Sequence, residues 1–142
     1  MEQFKKATVV GAGTMGHGIV FILAEAGIDV CLIDHQREAL EFGLAQIENL
    51  LEASVLKTRL LIEDAHDIRE RITTSTDLEA MANSDLMIEA VSEDIKLKRH
   101  IFSLADALVD DHALLATNTS SLSISDIASG MVQKERFLGL HF

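Results

Sequence analysis

The sequence predicts an α/β domain, doubly wound around a mostly parallel sheet. Two observations carry that expectation. Short β-branched or apolar runs alternate along the chain with longer segments of helical period. The short runs are near-continuously apolar or β-branched, as buried parallel strands are, and do not alternate polar with apolar.

The first strand is read at Ala7–Val10, and a glycine-rich turn follows it. Met15, Ile19, Ile22, Leu23 and Ala26 then fall on one helical face, with Gly27 placed to end the helix. Val30–Ile33 is the second strand. Leu40, Leu44, Ile47, Leu51, Val55 and Thr58 step by three and four, one face of a helix longer than a crossover needs. This segment is expected to leave the sheet as a helical arm. Ile72–Thr74 and Leu86–Ile88 are the third and fourth strands. Leu97, Ile101, Leu104, Ala105 and Leu108 form the next helical stripe, and Leu114–Ala116 and Phe137–Leu140 are the last two strands. Strand–helix–strand alternation of this kind puts helices on both faces of the sheet.

Composition narrows the function. The chain has 142 residues, with 12 Lys+Arg against 23 Asp+Glu, a net charge of −11. Such an acidic balance argues against nucleic acid as partner, because phosphate backbones need a basic surface. No apolar run approaches the ~18 residues of a membrane span, and the apolar start breaks off too soon for a secretory signal. Cys31 is the single cysteine. It excludes an internal disulfide and suits a reducing, cytoplasmic compartment. No Cys/His cluster has metal-ligand spacing, so no metal is expected. The chain has no proline.

The strongest motif is Gly11-Ala12-Gly13-Thr14-Met15-Gly16, a G-x-G-x-x-G between the first strand and the first helix. Gly11 permits the tight turn, Gly13 lets a pyrophosphate approach the backbone, and Gly16 lets helix and strand pack closely. The N–H groups opening the helix, those of Thr14 and Met15 among them, then face the phosphates. Asp34 follows the second strand, eighteen residues after Gly16. A carboxylate there accepts hydrogen bonds from ribose hydroxyls and repels a 2′-phosphate, which selects NAD over NADP. Together these features read as a Rossmann-type NAD-binding domain. Arg37 reads as a solvated residue at a helix start.

Further polar residues gather past the later strands, where open α/β sheets bind ligands. Glu89 and Glu93 follow the fourth strand, Asn118 to Ser121 the fifth and His141 the sixth. His17, His35, His66, His100 and His112 read as surface or core residues. Position lifts His141 above them, because imidazole exchanges a proton near neutral pH and stands where a general base for hydride transfer belongs. Ser120 lacks a G-x-S-x-G elbow, which argues against a serine hydrolase.

These residues resemble the NAD-binding domain of the L-3-hydroxyacyl-CoA dehydrogenases, the 3-hydroxybutyryl-CoA enzymes included. The resemblance covers essentially the whole chain, 1–142. It rests on Val10 to Gly16, Leu32-Ile33-Asp34, Ile88 to Glu93, Lys96-Leu97-Lys98, Asn118 to Leu122 and Gly139 to Phe142. It implies an oxidoreductase of fatty-acid metabolism that interconverts an L-3-hydroxyacyl-CoA and a 3-oxoacyl-CoA. By position, Glu93 and Lys98 would contact the NAD side of the cleft. Ser120 would lie between cofactor and substrate and orient the 3-hydroxyl, and His141 would take its proton. Lys57 aligns with a lysine of the arm that contacts CoA, whereas Leu50 stands where the family has a serine. The family pattern continues past His-Phe into a glutamate that holds the histidine, then a C-terminal helical domain that completes the pocket and the homodimer. The chain is therefore expected to be the N-terminal portion of a longer enzyme, inactive by itself. Two other readings stay open: a related dehydrogenase of hydroxy or sugar acids, of the L-gulonate dehydrogenase and lambda-crystallin type, and a non-catalytic nucleotide-binding protein.

Overall fold

A computed structural model describes residues 3–142; Met1 and Glu2, at the start of the domain read from the sequence, lie outside the described residues. Six strands form one sheet in the order β3-β2-β1-β4-β5-β6. They are β1 (Lys6–Val10), β2 (Asp29–Ile33), β3 (Ile72–Ser75), β4 (Leu86–Glu89), β5 (Leu114–Thr117) and β6 (Phe137–Gly139). Every pairing is parallel, with Val10 opposite Ile33 on one side and Glu89 on the other. The chain steps outward from β1 to β3, then returns to β4 on the far side of β1. That reversal opens a crevice beyond the carboxyl ends of β1 and β4, the place where doubly wound sheets bind ligands.

Two apolar cores lie on the two sheet faces. Helices α1 (Thr14–Glu25), α2 (Arg37–Leu56) and α3 (Ile62–Glu70) cover one, around Val9, Leu32, Ile19, Ile47 and Ile88. Helix α4 (Ile95–Leu108), the short α5 (Ile124–Ile127) and a 3₁₀ turn at Leu78–Asn83 cover the other, around Ile33, Met81, Met87, Phe102 and Leu115. Most of these side chains are fully buried, and each such burial removes about 1.5–3 kcal/mol worth of apolar surface from water.

The structure turns one helical stripe and shortens another. In α1 the buried face is Gly16, Ile19, Val20, Leu23 and Ala24, while Met15 and Ile22 are exposed. The close approach of Gly16 to the glycine turn sets the helix's rotation and turns Met15 outward. In α2 the stripe holds through Leu51, but the helix stops at Leu56 and Thr58 takes a left-handed conformation at φ 56°. Gly27, at φ +92°, ends the turn after α1 as its lack of a side chain allows. The arm is real only in its distal half. Leu40, Gly43, Ile47 and Leu51 pack into the core, and the last turn of α3 returns to the middle of α2, with Arg69 Nε 3.3 Å from Glu48 Oε1. Beyond that pair the hairpin tip exposes Leu56, Leu61 and Ile62.

Candidate functional site

The glycine turn leaves β1 with Gly11 at φ +110°, the left-handed region that only glycine enters freely. A Cβ on Gly11 would lie 2.6 Å from the carbonyl oxygen of Ala90, the residue after β4. The turn and the β4 exit thus touch at the crevice. A Cβ on Gly16 would stand 1.7 Å from the Gly11 carbonyl oxygen, so glycine is required there for the helix to sit on the turn. Gly13 differs: apart from its own chain neighbours, no atom of the described residues lies within 4 Å of where its Cβ would be. Gly13 is the N-cap of α1 and offers the helix no side-chain hydrogen bond. The first backbone N–H groups of α1 therefore lack a side-chain cap, beside open space at Gly13.

Asp34 stands directly after β2, its side chain largely covered. Its Oδ2 accepts from the Ala12 N–H at 3.0 Å and its Oδ1 from the Gln36 N–H at 2.9 Å. The carboxylate thus braces the glycine turn and keeps lone pairs for ribose hydroxyls. Beside it opens a cleft of about 630 Å³. Val10, Ile33, Leu78, Val91, Leu97, Ile101 and Leu104 give it apolar walls, and Asp34, His35, Asp77 and Glu79 line its polar side. An apolar slot with a polar edge suits a flat heterocycle, and three carboxylates beside it disfavour an added phosphate. The walls from the 3₁₀ turn and α4 carried no sequence motif and were missed.

On the far side of the glycine turn the polar residues form a closed network. Glu89, wholly buried at the end of β4, accepts from the Thr117 hydroxyl at 2.6 Å, the Val91 N–H at 2.8 Å and the Lys98 ammonium. Lys98 is 1% exposed; its Nζ also lies 3.1 Å from Glu93 Oε1 and donates to the Val91 carbonyl at 3.2 Å. Glu93 Oε2 accepts from the hydroxyls of both Thr119 and Ser121, the two neighbours of Ser120. These bonds from Ser121 and Thr119, with Lys98 alongside, hold the Glu93 carboxyl down at about 2. The three acceptors of Lys98 match its three N–H donors. Lys98, expected by resemblance on the NAD side of the cleft, is thus fully engaged by Glu89, Glu93 and Val91 within the protein. Glu89 and Thr117 had been given no task.

Ser120 and His141 lie exposed past the carboxyl ends of neighbouring strands, β5 and β6. The Phe142 N–H donates to Asn118 Oδ1 at 3.2 Å, which ties the two strand ends together. Lys57 caps the end of α2, exposed on the arm.

Residues 6–142 match the family model described as the 3-hydroxyacyl-CoA dehydrogenase NAD-binding domain. The chain belongs to the 3-hydroxyacyl-CoA dehydrogenase family. A 3-hydroxybutyryl-CoA dehydrogenase of Clostridioides difficile is 39% identical over 137 residues, 96% of this chain and 49% of that protein. A 3-hydroxyadipyl-CoA dehydrogenase of Escherichia coli is 37% identical over all of this chain and 30% of its own length. The crystal structure of (S)-3-hydroxybutyryl-CoA dehydrogenase from Ralstonia eutropha superposes with a TM-score of 0.93 at 34% identity, over 99% of this chain and 50% of that one. The chain thus spans about half the length, or less, of the relatives it matches. The matched part is the family's NAD-binding domain, so the cofactor of the glycine turn is NAD. The open Gly13 cradle, the uncapped start of α1 and the braced Asp34 fit that dinucleotide.

Proposed function

We propose that this chain is the cofactor-binding half of an NAD-dependent enzyme that interconverts an L-3-hydroxyacyl-CoA and a 3-oxoacyl-CoA. The observation that carries the reading is that Ser120 and His141 follow adjacent strand ends, which a hydrogen bond from Phe142 to Asn118 ties together. NAD, when bound, supplies the hydride acceptor. The N–H groups of α1 and the small side of Gly13 hold its pyrophosphate, with Thr14 and Met15 at the helix start and Asp34 on the ribose. Ser120 donates a hydrogen bond to the substrate's 3-oxygen and fixes it. His141 takes the hydroxyl proton as the hydride leaves C3, and returns it in the reverse direction. Glu93 keeps the Ser120 loop in place on the cofactor side. Lys57 on the arm meets the CoA portion.

In this reading 1–142 is one NAD-binding domain, and a second half of the protein supplies the other wall of the pocket, the partner of His141 and a homodimer interface. Free Cys31 supports a reducing cytoplasmic setting. No helix among the described residues is long and apolar enough to cross a membrane.

The test is oxidation of NADH by acetoacetyl-CoA, run on the chain alone and on a protein that joins it to a second half like that of its relatives. The longer protein turns over and the chain alone binds NADH with negligible turnover, because proximity and base orientation are lost. Turnover of a hydroxy or sugar acid in place of the acyl-CoA would overturn the substrate assignment. Failure of both proteins to bind NADH would overturn the cofactor half.

A further inference from the structure

The network around Glu89 closes on itself, and it closes around Ser120. Starting at β4, Glu89 meets Thr117 on β5, and the Thr117 hydroxyl accepts from the Thr119 N–H at 3.2 Å. Thr119 meets Glu93, Glu93 meets Lys98 on α4, and Lys98 returns to Glu89. Each link joins a different pair of segments: two strand ends, the loop between β4 and α4, the start of α4, and the loop that carries Ser120. The adenine-side features, Asp34 and the apolar cleft, lie on the β2 side of the glycine turn. A dinucleotide whose pyrophosphate rests on that turn must send its other nucleoside across the ends of β4 and β5. That is where the ring stands.

Glu89 is wholly buried, so it touches no ligand itself. It is nonetheless the residue on which the ring depends, for it alone joins Thr117, Lys98 and the Val91 N–H. We propose that Glu89 is a positioning residue for the nicotinamide end of the NAD site, holding the 90–94 loop and the Ser120 loop at one fixed separation. The proposal rests on the NAD-binding reading of the chain. A half-satisfied buried network loses its geometry, because the remaining polar groups seek other partners. The loss should therefore fall mainly on the nicotinamide side, because Asp34 and the glycine turn share no hydrogen bond with the ring and the apolar cleft meets it only through Val91.

NAD⁺ and ADP-ribose separate the two ends, because ADP-ribose keeps the adenosine and pyrophosphate but lacks nicotinamide. Calorimetric titration of the full chain with each, for wild type and Glu89→Gln, is the experiment. Glu89→Gln should weaken NAD⁺ at least about fivefold while ADP-ribose stays within about twofold; tenfold would correspond to ~1.4 kcal/mol. A merely structural residue would weaken both ligands alike, and that result, or no change in either, overturns the proposal. Because Glu89→Gln leaves Lys98 buried with one carboxylate fewer, Thr117→Val serves as the second variant. It opens the ring while leaving the Glu89–Lys98 pair in place and should shift the same ratio in the same direction. An unchanged ratio in a folded Thr117→Val overturns the proposal even if Glu89→Gln does not fold. Wild type binding ADP-ribose and NAD⁺ equally well also overturns it, whereas wild type binding neither overturns the NAD reading beneath it.

Discussion

The Asp34 carboxylate accepts a hydrogen bond from the backbone N–H of Ala12 at 3.0 Å, across 22 residues of sequence. The acid proposed to read the ribose is thereby fastened to the turn proposed to hold the phosphates. One consequence is that the two parts of the dinucleotide site keep a set spacing. Another is that a 2′-phosphate would meet a carboxylate that cannot swing away, with Asp77 and Glu79 nearby in the same cleft.

Cofactor choice follows. NAD(H) should bind at least tenfold tighter than NADP(H), a difference of ~1.4 kcal/mol or more. Asp34→Ala should narrow that gap while weakening NAD(H), since it removes both the ribose acceptor and the brace on Ala12. Titration calorimetry with both cofactors checks this, and equal affinities in wild type would strip Asp34 of the assignment.

Gly13 and Gly16 should respond in opposite ways to alanine. At Gly13 the new Cβ meets no protein atom, so the fold should melt at nearly the wild-type temperature while NAD affinity drops at least about tenfold. At Gly16 the Cβ would collide with backbone at 1.7 Å. Overpacking of that kind costs about 1–3 kcal/mol or more, so the melting temperature itself should fall. Thermal unfolding without ligand, followed by titration, separates the two.

Acid should loosen the Ser120 loop. The folded Glu93 carboxyl sits at about 2, below its ordinary 4.5, owing first to the Ser121 hydroxyl, then to Thr119 and Lys98. The unfolded chain therefore takes up this proton at higher pH than the folded one does. The stabilisation is fully present above about pH 4.5 and is lost as pH falls through about 2. Melting temperature against pH should fall more steeply in that window for wild type than for Glu93→Gln. Parallel curves would show that the hydroxyl pair does not hold the carboxylate in solution.

In a protein with a complete pocket, His141→Ala should cut kcat by ~10² to 10⁴ and leave NADH affinity nearly unchanged, as removal of a general base does. Ser120→Ala should cost less, since one orienting hydrogen bond goes and the proton acceptor stays. Steady-state kinetics with cofactor binding measured separately decides. Wild-type kcat in His141→Ala, or activity lost only through failed cofactor binding, would make His141 structural.

All six strands could be read from the chain because each is a short β-branched or apolar run flanked by polar or turn-forming residues, the central ones buried along nearly their whole length and the edge strands β3 and β6 only in part. The glycine turn and its acid could be read for a related reason: their spacing is a local requirement of strand, turn and helix. What lies between segments could not. Met15 and Ile22 satisfied the helical period as well as Gly16 and Val20 did, and only the contact of Gly16 with Gly11 decided which face turned inward. Nothing in the local sequence around Lys98 announces the three internal acceptors that the fold gives it. Glu89 and Thr117 stand 28 residues apart and meet because β4 and β5 pair in parallel, with Glu89 opposite Thr117. A local pattern carries the periodicity of an element and the spacing of a turn. The partner of a buried charge is chosen by which strand ends arrive side by side, and that is settled only when the sheet has formed.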